Sequence, residues 1–128
     1  MNNTRKLVLA AALAAAFTVA AQAPAIKRMM LQKEGVTEER EAVLAQAEIA
    51  AGGQSGRHTH PGVEMGYVLE GPVVLEIDGE APRTLNAGDS FAIPYSKVHN
   101  AKAVGDKPAK VVSTYVVEKG KPLASPAP

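Results

Sequence analysis

Three histidines hold most of the chemical potential of this chain, because its 128 residues contain no others and no cysteine at all. His58 and His60 are separated by one residue. Residues two apart in a strand point to the same face, so both imidazoles can reach one point in space. Glu64 follows at an even offset, and a regular strand would turn its carboxylate to that same side. His99 lies well downstream, beyond Pro94, where a separate strand can bring a fourth group to the other three. Without cysteine, disulfides, zinc-cysteine clusters and cysteine nucleophiles are excluded, and any metal must be held by nitrogen and oxygen. Three imidazoles and a carboxylate suit Fe(II), Mn(II), Ni(II), Cu(II) or Zn(II), and ligand type alone does not choose among these ions. On an octahedral ion such a set leaves two positions open for a substrate or dioxygen.

A His-x-His pair on a polar loop is, taken alone, often just solvated. The spacing around it says more. The stretch Gly52-x5-His58-x-His60-x3-Glu64-x6-Gly71 resembles the first motif of the cupins, and Gly88-Asp89-x4-Pro94-x4-His99 resembles the second. The likeness runs from Gly52 to Asn100 and is to small single-domain cupins of the type-2, RmlC-like kind. It implies an all-β fold, a double-stranded β-helix or jelly-roll barrel, with one divalent metal in the barrel mouth on His58, His60, Glu64 and His99. Two positions depart from the family pattern. Ser96 stands where a glycine often follows the proline, and Ala103 stands where an asparagine often follows the histidine, while Asn100 sits directly beside His99. Neither departure removes a ligand; both bear on the loop shape and on the partners of the ligands.

The elements that must position these residues read as short strands between turns. Strands are expected at 26–32, 63–69, 73–77, 83–85, 90–93 and 110–117. Residues 41–50 have helical propensity, yet they also alternate through Val43, Ala45, Ala47 and Ile49, and they are taken as a strand. Gly52 to Gly56 is a turn, Glu70-Gly71-Pro72 breaks a strand, Asp78-Gly79 is a hairpin signal, and Asn86 to Asp89 turns again. The proline-containing tail after Gly120 is expected to lie extended on the surface or to be partly disordered. Turn signals every eight to twelve residues suit a sandwich or barrel. There is no glycine-rich phosphate loop and no Gly-x-Ser-x-Gly elbow.

Residues 1–23 read as a secretory leader. Arg5 and Lys6 form a short basic region, Leu7 to Ala21 is apolar apart from Thr18, and Ala21-Gln22-Ala23 offers a small-x-small cleavage pattern. Cleavage after Ala21 competes with cleavage after Ala23, because Pro24 is unfavourable directly after the bond. The apolar run is short of the ~20 residues that span a bilayer, so no stable membrane association is expected after cleavage. The domain organisation is then a leader, 1–23, and a single cupin domain, 24–128, whose motif core is 52–103. The location is periplasmic or extracellular. The net charge of the whole chain is only +1, which gives no footprint for nucleic acid.

Met65, Tyr67, Phe91, Tyr95 and Tyr115 are candidates for lining a pocket, against the ordinary alternative that large strand residues are core. Arg57 is placed to meet an acidic substrate or else to be a solvated turn residue. Gly66 either leaves room for a ligand or marks a bulge. No separate nucleophile or obvious base is present, so enzymatic chemistry would rest on the metal, with Glu64 available as a base if it left the ion. The resemblance implies a metal-dependent dioxygenase, isomerase, decarboxylase or lyase acting on a small oxygenated or carboxylate substrate. Two alternatives are a non-catalytic periplasmic protein that binds a metal or small ligand, and a metal that is purely structural. The family likeness also implies a homodimer, with residues 26–31 packing across its interface.

Overall fold

A computed structural model describes residues 25–128; the expected leader, residues 1–23, lies outside them. Ten strands follow in order: β1 Ile26–Gly35, β2 Arg40–Ile49, β3 His58–Thr59, β4 Gly62–Glu70, β5 Val73–Ile77, β6 Arg83–Leu85, β7 Ser90–Ile93, β8 His99–Ala103, β9 Ala109–Glu118 and β10 Ser125–Pro126. They form two five-stranded antiparallel sheets, one ordered β1-β2-β9-β4-β7 and the other β10-β3-β8-β5-β6. This is the all-β jelly roll that the cupin resemblance implies, and it agrees with the sandwich or barrel suggested by the turn spacing. No described helix is long and apolar enough to cross a membrane.

The helix-or-strand ambiguity at 41–50 resolves as β2. Tertiary pairing overrides the helical propensity, because β2 lies between β1 and β9 and buries Val43, Ala45, Ala47 and Ile49 on its inner face. β9 supplies the facing row Ala109, Val111, Ser113, Tyr115 and Val117, all buried. That row is apolar at both ends and polar in the middle. One apolar cluster contains Ala109 and Val111 with Ile49, Val68, Leu75 and Ile93; a second contains Tyr115 and Val117 with Val43 and Ala45.

Two glycines are fixed by close approach. A Cβ on Gly62 would lie 2.0 Å from the Val116 carbonyl oxygen, so only glycine lets β4 start against β9. A Cβ on Gly66 would lie 2.1 Å from the Phe91 ring. Gly66 therefore makes room for Phe91 rather than for a ligand or a bulge.

The strands β3, β8 and β10 carry no clear signal in the sequence. Of the two forms expected for the tail, the extended one is found: β10 pairs with β3, and the Ala127 amide donates to the Arg57 carbonyl at 3.0 Å. One expectation needs correction. His58 and Glu64 do not share one regular strand. The chain turns a corner at Pro61-Gly62, so His58 belongs to one sheet and Glu64 to the other.

Candidate metal centre

The corner brings the four expected side chains together from opposite walls. His58 is directly opposite His99 in the β3–β8 pair, His60 sits at the corner, and Glu64 faces them from β4. All four are buried. The imidazole nitrogens of His58, His60 and His99 that could ligate an ion lie within 4.8 Å of one another. The Glu64 carboxylate lies 3.0 Å from His60 Nε2 and 3.3 Å from His99 Nε2.

The outward nitrogens decide the protonation. His58 Nδ1 donates to the Gly56 carbonyl at 2.7 Å, His60 Nδ1 to the Leu123 carbonyl at 2.6 Å, and His99 Nδ1 to the Lys97 carbonyl at 2.9 Å. A carbonyl can only accept, so each Nδ1 carries a hydrogen. In the neutral ring each Nε2 then presents a lone pair inward. His60 Nε2 is buried and makes no hydrogen bond, although the carboxylate is nearby. Lone pairs facing a carboxylate repel unless a proton or a cation stands between them. Fixing one ring nitrogen by a hydrogen bond so that the other can ligate is the usual support of a metal-binding histidine. These residues therefore fit a metal ion.

The electrostatics agree. Burial lowers the His58 pKa to about 4, against a partly opposing hydrogen bond to Gly56, so its Nε2 is a free lone pair at neutral pH. Burial pushes the Glu64 carboxyl up, but the His60 and His99 rings beside it outweigh this and hold it well below the usual carboxylate range. Tyr115 is pushed up by burial and by the Glu64 charge, so it stays a neutral phenol.

Of the expected pocket residues, Phe91 and Tyr115 line the cavity beside the histidines, together with Leu75 and Val111. Met65, Tyr67 and Tyr95 do not; they are 55%, 47% and 47% exposed. In β4 the even-numbered residues Glu64, Gly66 and Val68 face inward, so Met65 and Tyr67 must face out. The Tyr95 hydroxyl donates to Glu118 on the surface, with the Arg40 guanidinium 5.7 Å from the ring centroid. Arg57 is not free for a substrate either: it grips Asp78 with two bonds of 2.8 and 2.9 Å. Asn100, beside His99, donates to Gln54 at 3.0 Å and Glu76 at 3.1 Å, and so ties the Gly52–Gly56 turn to β8. Ser96 takes a left-handed φ of 52°, so serine accepts the conformation for which the family pattern favours glycine. Arg28, which also lines the cavity, carried no signal in the sequence: its strand precedes both motifs.

The Cupin_2 family, described as a cupin domain, matches residues 45–115. The chain belongs to this family. Germin-like protein 5-1 of Oryza sativa subsp. japonica is 35% identical to it over 77 residues, covering 56% of this chain and 35% of the germin-like protein. This cupin thus spans about a third of the length of the curated relatives it matches. Among solved structures, an RmlC-like cupin from Shewanella frigidimarina superposes with a TM-score of 0.60 at 26% identity, covering 75% of this chain and 79% of the other. A recombinant oxalate oxidase in complex with glycolate superposes with a TM-score of 0.59 at 26% identity, covering 66% and 45%.

Proposed function

We propose that this cupin holds one divalent transition metal through His58, His60, Glu64 and His99 and acts on a small oxygenated or carboxylate compound, as a metal-dependent enzyme of the dioxygenase, isomerase, decarboxylase or lyase type. The observation that carries this is the set of three Nδ1–H donors on backbone carbonyls, which leaves three Nε2 lone pairs converging beside one carboxylate. The likeness to an oxalate oxidase in complex with glycolate supports a small oxygenated acid as the class of substrate.

A metal bound there supplies Lewis acidity and open positions for substrate. The chain's own residues do the rest. The three carbonyls fix the tautomers, Glu64 offers a charged oxygen without needing to lose a proton, and Phe91, Leu75 and Val111 keep the inner wall apolar. Tyr115 keeps its proton beside Glu64 and can donate a hydrogen bond.

We further propose that the protein is exported, with residues 1–23 removed as a leader; a mature N-terminus other than residue 22 or 24 would contradict this. The mature chain pairs as a homodimer built on β1. Elemental analysis of the protein from its native compartment should find about one transition metal per chain, and a screen of small hydroxy acids, enols and dicarboxylates under Fe, Mn, Ni and Cu loading should find turnover. Stoichiometric metal without turnover of any such compound would replace the enzyme with a binding protein.

A further inference from the structure

The inner cavity and an outer groove share one charged residue. In the β1–β2 register Arg28 is opposite Ala47, whose side chain is buried on the inner face. Arg28 therefore leans over the barrel mouth rather than away from it. It lines the cavity that contains His58, Glu64, His99 and Tyr115, and it also lines the groove above, with Ser55, Arg57, His58 and Ser125.

Two arginines border that groove, and their partners differ. Arg57 is held by Asp78 and by the Pro128 carbonyl at 2.6 Å. Arg28 forms no ion pair with any carboxylate of the described residues. A divalent ion offset by only one carboxylate leaves the centre net positive, and Arg28 adds to that field; an anion is what it attracts. The cavity has a volume of about 30 Å³. One water needs about 10–15 Å³ on this measure, so the inner cavity takes only a few atoms of a ligand, and the rest would lie in the groove above.

Resting on the metal-centre reading above, we propose that Arg28 is the anion-binding residue of the site, pairing the carboxylate of a short hydroxy or keto acid whose other oxygen reaches the metal. The guanidinium fork matches a carboxylate in two parallel bonds, and the narrow inner cavity beyond it favours a short acid.

The test uses Ni(II)-loaded protein, which is inert to air, with glycolate as the probe and glycolamide as its uncharged counterpart. Binding is read by titration calorimetry, alongside nickel stoichiometry. Wild type should bind glycolate about 10-fold or more tighter than glycolamide, as expected of a charge-assisted pair. Arg28→Gln should lose that preference while still taking up one nickel per chain, and Arg28→Lys should restore part of it. Unchanged glycolate affinity in Arg28→Gln, or no glycolate binding by nickel-loaded wild type, overturns the proposal while leaving the metal centre standing. Failure of wild type to take up nickel overturns both.

Discussion

Each of the three histidines is committed by an atom that does not face the metal position. Their Nδ1 groups donate to Gly56, Leu123 and Lys97 carbonyls, and this makes the inner nitrogens acceptors. A pH dependence follows for the metal-free protein. His58 has a native pKa of about 4 against an ordinary value of 6.5. Between those values the unfolded chain binds a proton that the native state does not, so stability rises with pH across that window. Glu64 works in the same direction lower down: its native carboxyl is held below its usual range, so its contribution is present above the unfolded value and is lost as pH falls through the native one. In chelator, the Tm should therefore fall as pH drops from 6.5 to about 4, and His58→Gln should flatten that part of the profile. A Tm that holds steady or rises on acidification would contradict the assignment. At this scale the sequence shows the ligand types and their spacing, because these are side chains. It cannot show the acceptors, because a carbonyl belongs to every residue, and Leu123 reaches His60 only through the fold.

The corner at Pro61-Gly62 is the element-level device that turns one short motif into two walls of a site. Gly62 starts β4 against the Val116 carbonyl, at a distance no side chain tolerates. Gly62→Ala should cost about 1–3 kcal/mol of stability, the usual range for forcing an extra carbon into a packed position. Urea denaturation checks this; a loss under about 0.5 kcal/mol, the scatter of neutral surface changes, would mean that the backbone yields freely there. The long strands are legible because β2 alternates Val43, Ala45, Ala47 and Ile49 on one face and β9 is rich in Val and Thr. The missed ones are short or polar. β8 reads His-Asn-Ala-Lys-Ala, without a β-branched residue, and β3 and β10 have two residues each. Such strands exist only because neighbours pair with them. The outward turn of Met65 and Tyr67, by contrast, could have been read from Glu64 facing in, since alternation fixes one once the other is placed.

Among the described residues the histidine cluster lies between two apolar clusters, at the polar middle of the inner row of β9. The inner rows bury their apolar residues against each other, but β1, at the edge of its sheet, stays uncovered. Its Met29, Met30 and Leu31 are 48%, 62% and 41% exposed. An edge strand with exposed large apolar residues is a pairing liability unless something covers it, which supports the proposed dimer. Sedimentation at micromolar concentration should show two chains, and Met30→Glu should shift the distribution to one; a monomeric wild type would contradict the dimer without touching the site. Whether His58, His60, Glu64 and His99 together hold a single ion is decided by an equilibrium Ni(II) titration of wild type and His60→Ala. Wild type should saturate at one equivalent and His60→Ala should lose stoichiometric binding. Full nickel occupancy in a folded His60→Ala protein would contradict the four-residue site.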